Sequence, residues 1–222
     1  KELANSVTTP DSIDLQKILH EMQEANVTHV IMEVSSHGLD QNRVDFCEFD
    51  AGIFTNLTQD HLDYHADLSE YFECKKRFFT EVLKNKKGKK IPAILNIDDE
   101  KGALLFNTLD AGLKTISVST HQKADLISKN IVDDIQDLSG DICLNSQSFN
   151  FTSSLTGKFN LEDILCACGA AYALGIAPAM IKKGIEDCQI IPGRLEKIAN
   201  SFDRFMFTDY AHTPDALESI LS

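Results

Sequence analysis

The order of hydrophobic and polar positions along the chain predicts strands and helices in alternation. Short apolar runs that end in polar or small residues are typical of buried strands in a parallel sheet, and helical patterns separate them here. Strands are predicted at 27–34, 51–54, 93–96 and 115–119. Helices are predicted at 13–24, 161–174 and 178–187. We therefore predict an α/β fold in which helices flank a mostly parallel sheet.

The pattern changes twice towards the carboxyl terminus. Residues 131–155 alternate in short segments around Ser139 and Gly140, which favours a small antiparallel portion. A Pro-Gly break at 192–193 precedes a predicted strand at 205–209 and a helix at 213–221. We therefore predict one α/β domain over residues 1–191, and a linker with the start of a second domain over residues 192–222. The abrupt first and last elements suggest a piece of a longer protein.

Composition narrows the class of protein. Across 222 residues, 34 acidic side chains against 21 basic ones give a net charge of −13, which disfavours nucleic acid as a partner. No apolar run is long enough to span a membrane, and the first residues lack a secretory signal, so we expect a cytoplasmic protein without membrane insertion. The six cysteines are scattered without metal-type spacing, which indicates reduced and mostly buried thiols.

The first candidate for chemistry is Glu33, within the run VIMEVSSHG. It stands at the carboxyl end of a predicted strand, the edge at which open α/β sheets bind ligands. A carboxylate there could hold a metal or a substrate. A solvent-exposed strand end explains it equally well.

The second candidate is the segment TNLTQDHLDYH, residues 55–65. It brings carboxylates and imidazoles together, and both can bind metal ions. The residues concerned are Asp60, His61, Asp63 and His65. Their spacing fits no zinc signature, and charged loops of this kind also occur without a metal.

The third candidate is a lysine on an apolar helix face. Asp67 is a plausible N-cap with Glu70 three residues later, and a helical stripe follows. Its members are Leu68, Tyr71, Phe72, Phe78, Phe79, Val82 and Leu83. Lys75 falls within this stripe, where a buried ammonium must pair, reach an edge or lose its charge. A neutral amine can add carbon dioxide to become an anionic carbamate. The pattern alone favours a structural ion pair or a lysine that reaches solvent.

Seven motifs together resemble the Mur ligases, specifically those of the MurE type. They are TTPD (8–11), EVSSHGLDQNRV (33–44), TNLTQDHLDYH (55–65), YFECK (71–75), GKFN (157–160), PGRLE (192–196) and DYAHTPDAL (209–217). The resemblance implies a Mur ligase central domain and the first strand and helix of a Rossmann-like C-terminal domain. It implies a monomeric ligase of peptidoglycan precursor synthesis. With ATP, such a ligase would join meso-diaminopimelate or L-lysine to UDP-MurNAc-L-Ala-D-Glu through an acyl phosphate.

The resemblance also assigns roles to residues of this chain. Glu33, His61 and Lys75 as a carbamate would be the catalytic and Mg²⁺-binding groups. The residues implied for the UDP-MurNAc-dipeptide are Thr8, Thr9, Ser35, Gln41 and Arg43. Those implied for ATP are Asn160, Arg194, Asp209 and His212. Without the resemblance, these last four would be interpreted as loop and capping residues.

The chain departs from the family pattern in places. Val7 and Asp163 stand where asparagine is common, and no GxxxxGK[ST] phosphate loop is present. We therefore expect this chain to be inactive by itself. Two alternatives stay open: another ligase of the superfamily, such as a folylpolyglutamate or cyanophycin synthetase, and a non-catalytic binding module of the same fold.

Overall fold

The computed structural model describes residues 7–59, 64–83, 90–109, 112–145, 147–201 and 204–221. Internal contacts divide the chain into two compact units. Unit 1 comprises Lys1–Phe49 and His61–Lys89, and unit 2 comprises Asp50–Asp60 and Lys90–Ser222. The predicted boundary between residues 191 and 192 is not one of these limits and stays a prediction.

Helices make up the regular structure described for unit 1. They are α1 (Ser12–Glu24), α2 (Ser36–Asp40) and α3 (Leu68–Arg77), which continues into a π-helical turn (Phe78–Val82). The predicted cap of α3 is confirmed, because the Asp67 carboxylate accepts hydrogen bonds from the backbone N–H groups of Ser69 and Glu70 at 2.8 and 2.9 Å. Most of the predicted stripe is also buried, although Leu68 is exposed.

The segment 27–34 corrects a prediction. It is not a strand, and Ile31 at its centre is 99% exposed. A β-strand needs a neighbour for its backbone hydrogen bonds. Among the residues that the structure describes, no strand pairs with this segment. The apolar composition of this segment indicated a buried strand, but the described residues do not bury it. Glu33 therefore follows an extended segment rather than a strand.

A six-stranded sheet forms the centre of unit 2, within the described ranges. Its strands, in both chain and spatial order, are β1 (Gly52–Phe54), β2 (Pro92–Asn96), β3 (Lys114–Ser119), β4 (Leu126–Asp133), β5 (Leu138–Leu144) and β6 (Gln147–Ser153). β1 to β4 pair in parallel, whereas β4, β5 and β6 pair antiparallel. The mostly parallel sheet with an antiparallel portion is thus confirmed.

Three helices accompany the sheet of unit 2: α4 (Glu100–Thr108), α5 (Lys158–Ala173) and α6 (Pro178–Asp187). α5 contributes Leu161 and Leu165 to a core that also contains Ile94, Val118 and Ile142 from the strands. Burying aliphatic side chains of this size stabilises the fold by about 1.5–3 kcal/mol each. These apolar contacts fix α5 in the core of unit 2. The GKFN segment (157–160) forms the start of this helix and is therefore fixed with it.

The last described elements of unit 2 are short. β7 (Glu196–Lys197) pairs antiparallel with β8 (Phe207–Thr208), and α7 (Pro214–Leu221) follows. The predicted strand and helix in this region are both present, although the strand is shorter than predicted.

The six cysteines form no disulfide, as predicted. Cys166 and Cys168 are buried and the other four are half-buried, so fewer thiols are buried than expected. No helix in the described ranges is both long enough and apolar enough to cross a membrane.

Candidate functional site

A hydrogen-bonded cluster around Thr9 brings several predicted site residues together in unit 1. Thr9 is fully buried. Its hydroxyl donates to the backbone carbonyl of Glu33 at 3.0 Å and accepts from the backbone N–H of Ser35 at 2.9 Å. Residues separated by more than twenty positions are therefore joined through one side chain.

Ser35 connects this cluster to α2. Its side-chain oxygen accepts from the backbone N–H of Gly38 at 3.1 Å and so caps the helix. Gly38 packs directly against Thr9, because a Cβ atom at this position would lie 2.9 Å from the Cβ and Cγ2 atoms of Thr9. The absence of a side chain at Gly38 therefore permits the close approach of α2 to Thr9.

Arg43 holds the other side of the cluster. Its Nη1 donates to the carbonyl of Thr9 at 2.6 Å, and its Nε and Nη2 donate to Oε1 of Gln41 at 3.0 and 2.6 Å. Its Nε also lies 3.1 Å from a carboxylate oxygen of Asp11. The guanidinium is thus held in a fixed direction and carries the charge needed to pair with an anionic ligand.

Glu33 and Thr8 lie at the accessible edge of the cluster. The backbone of Glu33 is fixed by Thr9, whereas its side chain is exposed. Thr8 is also exposed. Carboxylate oxygens are the ligands that Mg²⁺ prefers, so Glu33 fits a metal-binding role. Within the described residues, no group of three metal-binding side chains occurs, and His61, Asp60 and Asp63 lie outside those residues.

Lys75 is half-buried on α3 and lies against an aromatic side chain. Its Nζ lies 4.8 Å from the centroid of the Tyr71 ring. The Tyr71 ring stacks in turn on His65, with centroids 5.2 Å apart and an interplanar angle of 17°. His65 is 3% exposed, and its Nε2 atom has no hydrogen-bond partner among the described residues. The predicted position of Lys75 on the apolar face of α3 is therefore confirmed.

Tyr64 and Arg77 support the same region and were missed by the sequence analysis. The Tyr64 hydroxyl donates to Asp40 at 2.5 Å and lies 3.5 Å from the side-chain nitrogen of Gln41. This bond to Asp40 raises the pKa of Tyr64. Arg77 Nη2 lies 2.6 Å from an oxygen of Asp45, which fixes α3 against the segment after α2. Both partners are more than twenty residues away, so no local pattern could reveal these contacts.

In unit 2, Asn160 lies at the start of α5. It is buried, and its side-chain nitrogen donates to the carbonyl of Thr156 at 2.6 Å. Asp163, one turn later, retains an exposed surface. Loss of water around its carboxylate and the neighbouring charge of Glu162 nevertheless raise the pKa of Asp163 to about 6, and Arg194 partly opposes this rise. Arg194 is thereby placed close enough to α5 to act electrostatically on it.

Arg194, Asp209 and His212 lie near one another. Asp209 accepts hydrogen bonds from the backbone N–H groups of Leu195 and Ala211, both at 2.7 Å. His212 Nδ1 lies 3.0 Å from the carbonyl of Tyr210, and the Arg194 guanidinium carbon lies 5.8 Å from the Tyr210 ring centroid. Arg194, Asp209 and His212 thus lie around the end of β8, and Arg194 acts electrostatically on Asp163 of α5.

Asp98 is a further carboxylate that the sequence analysis missed. It follows β2 and accepts hydrogen bonds from Ser119, Thr120 and Gln122, which join the ends of β2 and β3. Burial by itself would raise the pKa of Asp98, but these bonds outweigh burial and lower it. The partners are internal, so Asp98 is a structural carboxylate.

Comparison with known proteins agrees with this arrangement. Residues 2–171 match the model of the Mur ligase middle domain. The chain belongs to the Mur ligase family. Among Mur ligases, it is 43% identical over 215 residues to the UDP-N-acetylmuramoyl-L-alanyl-D-glutamate--2,6-diaminopimelate ligase of Geobacter metallireducens, and 41% identical over 215 residues to that of Geobacter sulfurreducens. Each match covers 96% of the chain and 42% of the relative.

Solved structures of Mur ligases share the fold. The structure of a UDP-N-acetylmuramoyl-L-alanyl-D-glutamate--2,6-diaminopimelate ligase superimposes with a TM-score of 0.80 at 32% identity, over 96% of this chain and 43% of that one. The folylpolyglutamate synthetase of Lactobacillus casei gives 0.64 at 15% identity, over 90% of this chain and 47% of that one, and shares the fold alone. The chain therefore spans about two fifths of the length of the two Geobacter ligases.

Proposed function

We propose that the protein is an ATP-dependent ligase that adds an amino acid to UDP-MurNAc-L-Ala-D-Glu in peptidoglycan precursor synthesis. The observation that carries this proposal is the Thr9 cluster, which joins Glu33, Ser35 and Arg43 in a Mur ligase chain. The two Geobacter relatives are 2,6-diaminopimelate ligases, which favours meso-diaminopimelate over L-lysine as the added amino acid.

The substrate side of the proposed site is the edge of the Thr9 cluster. Arg43 carries a fixed positive charge, Gln41 and Ser35 carry polar side chains, and Thr8 is accessible. A guanidinium whose direction is already set pairs with an anionic group at a small cost in conformational entropy. We therefore assign the UDP-MurNAc-dipeptide to Thr8, Ser35, Gln41 and Arg43, and the buried Thr9 connects Ser35 to Arg43.

The catalytic side of the proposed site consists of Glu33, His61 and Lys75. Glu33 offers accessible carboxylate oxygens, and the half-buried Lys75 fits a lysine that becomes a carbamate. In that change the Lys75 ammonium loses a proton, its nitrogen bonds to the carbon of carbon dioxide, and a second proton leaves. The product carries a negative charge on two oxygens. When bound, Mg²⁺ ions would neutralise charge between phosphate and carboxylate. Glu33 would hold one ion, and His61 with the Lys75 carbamate would hold a second.

The residues that we assign to ATP belong to unit 2. Asn160 is fixed at the start of α5, and Arg194, Asp209 and His212 gather beyond it. Arg194 supplies a positive charge suited to ATP phosphates. The side chain of Asp163 accepts hydrogen bonds when ionised, which fits the amino group of adenine.

The experiment is an ATP-dependent ligation assay on the full-length protein. UDP-MurNAc-L-Ala-D-Glu is supplied with meso-diaminopimelate or L-lysine, and in a separate reaction a folate is supplied with L-glutamate. ADP and the ligated product are measured. We expect turnover with meso-diaminopimelate. Turnover with a folate and L-glutamate would identify a different ligase, and no ATP-dependent ligation of any pair would favour a binding module. A cytoplasmic, monomeric enzyme is proposed, since ATP and UDP-linked precursors are its substrates.

A further inference from the structure

The hydroxyl of Thr9 is buried and has no hydrogen left to donate to a ligand. Thr9 is 0% exposed, its hydroxyl hydrogen is donated to Glu33, and its oxygen accepts from Ser35. A hydroxyl has a single hydrogen to donate. A ligand at the edge of the cluster would therefore meet Thr8, Gln41 or Arg43 before it met the side chain of Thr9.

The two bonds of Thr9 hold the backbone on either side of residue 34. One partner is the carbonyl of Glu33, and the other is the N–H of Ser35, the cap of α2. Fixing both groups determines the direction in which the Glu33 side chain leaves the backbone. Among the described residues, the extended segment before Glu33 belongs to no strand.

Two further contacts keep Thr9 in place. Arg43 donates to the Thr9 carbonyl at 2.6 Å. Gly38 packs against the Thr9 side chain so closely that a Cβ atom would lie 2.9 Å from its Cβ and Cγ2. Thr9 is thus held by its backbone, its hydroxyl and its methyl group, as expected for a residue that positions others.

We propose that Thr9 is a positioning residue that orients the Glu33 carboxylate, and that its side chain does not contact the substrate. This inference rests on the proposed function, in which Glu33 binds Mg²⁺. Removing the hydroxyl leaves the Glu33 carbonyl and the Ser35 N–H without this partner, and the carboxylate loses its fixed direction. The effect appears in metal binding and turnover rather than in substrate affinity.

The test uses four variants of the full-length ligase: Thr9→Val, Thr9→Ser, Glu33→Gln and the double variant Thr9→Val with Glu33→Gln. Valine keeps the shape of threonine but lacks the hydroxyl, whereas serine keeps the hydroxyl. Three quantities are measured: kcat, the calorimetric Kd for UDP-MurNAc-L-Ala-D-Glu, and Mn²⁺ affinity in the presence of ADP by electron paramagnetic resonance.

We expect Thr9→Val to lower kcat and Mn²⁺ affinity by about 10- to 100-fold, the usual effect of removing a partner that orients a metal ligand. Its substrate Kd should change much less. Thr9→Ser, which keeps the hydroxyl, should retain most of the parental kcat and Mn²⁺ affinity. In the Glu33→Gln background, Thr9→Val should add little, because its effect passes through the Glu33 carboxylate.

Two outcomes overturn the positioning role. One is a raised substrate Kd in Thr9→Val with unchanged Mn²⁺ affinity. The other is full additivity of Thr9→Val and Glu33→Gln. The Mg²⁺ role assigned to Glu33 fails if Glu33→Gln retains full turnover and Mn²⁺ affinity, and that result also removes the basis of the positioning role. The proposed ligase function fails separately, if the parent enzyme shows no ATP-dependent ligation.

A second perturbation reaches Thr9 from the opposite side. Gly38→Ala forces a methyl group against Thr9 and should reproduce the loss of Mn²⁺ affinity seen in Thr9→Val. The matched control is Gly184→Ala on α6, where an added Cβ meets nothing within 4 Å. The control should retain parental turnover and metal affinity. Parental Mn²⁺ affinity in a folded Gly38→Ala variant would contradict the role assigned to Thr9.

Discussion

Lys75 Nζ lies 4.8 Å from the centre of the Tyr71 ring, which is one helical turn earlier on α3. The ring stacks on the buried His65, so the lysine lies on an aromatic surface that a second ring holds in place. An aromatic face attracts an ammonium, whereas the nitrogen of a lysine carbamate is neutral. Formation of the proposed carbamate therefore gives up the attraction between the ammonium and the Tyr71 ring. Binding of cations to the carbamate oxygens would have to outweigh that loss.

Replacing Lys75 by alanine should reduce ligation by the full-length enzyme by at least about 10³-fold, since charge stabilisation is commonly the largest contribution to catalysis. Added bicarbonate should not restore it, because no amine is left to react. The measurement is initial ADP release, with ¹³C NMR of the parent in ¹³C-bicarbonate to detect the carbamate. Lys76→Ala is the matched control, because the neighbouring Lys76 is paired with Glu73. Substantial turnover in Lys75→Ala would remove the carbamate role.

His65→Phe should leave the free energy of unfolding unchanged or raise it by up to about 1 kcal/mol. The change removes the buried Nε2 atom, which has no hydrogen-bond partner among the described residues, and keeps the ring stack. His65→Ala should lower it by about 2–4 kcal/mol through loss of packing. Urea unfolding followed by circular dichroism measures both. A loss of more than about 1 kcal/mol in His65→Phe would show that Nε2 has a partner that matters to stability.

Asp163 should make the protein less stable as pH rises. Its pKa is about 6 in the folded chain against 3.8 in the unfolded reference, so the folded state holds a proton that the unfolded state has lost between these values. The contribution of Asp163 to the free energy of unfolding is therefore fully present below pH 3.8 and is lost as the pH rises through about 6. Asp163→Asn should have a higher melting temperature than the parent at pH 7.5, and the difference should vanish near pH 4.

Asp134 provides a comparison, because its contribution to stability changes with pH in the opposite direction. Backbone hydrogen bonds from Gln136 and Asp137 lower its pKa, so its contribution is present above the ordinary value and is lost as pH falls. Asp134→Asn should therefore lower the melting temperature at pH 7.5. Equal changes of the same sign in both variants would contradict the linkage for Asp163.

Asp98→Asn should destabilise the protein by about 1–3 kcal/mol at pH 7, because an amide cannot accept all the hydrogen bonds that the carboxylate receives. The partners are Ser119, Thr120 and Gln122. Since the folded pKa of Asp98 lies below 3.8, the difference from the parent should persist down to that pH and shrink only as pH falls further. Urea unfolding at pH 7 and pH 3 checks this. A difference that disappears by pH 5 would contradict the proposed network.

Local patterns predicted the parts of the fold that local chemistry controls. The Asp67 cap and the apolar face of α3 are features of neighbouring residues, and alternation along 131–155 reflects the antiparallel strands β4 to β6. The motifs placed Glu33, Ser35 and Arg43 in one site, and the structure joins them through Thr9. The segment 27–34 shows the limit, because apolar composition indicates a capacity for burial without specifying a pairing partner.

The sequence by itself determined the family, most of the helices and strands of unit 2, and the side chains available for chemistry. Only the tertiary structure decided how those side chains are used. Thr9 proved to be a buried connector to Glu33 and Ser35, Asp98 joined β2 to β3, and Lys75 came to lie on a ring backed by His65. The physical reason is that hydrogen bonds and burial depend on distances in space, and most of these partners are many positions apart along the chain.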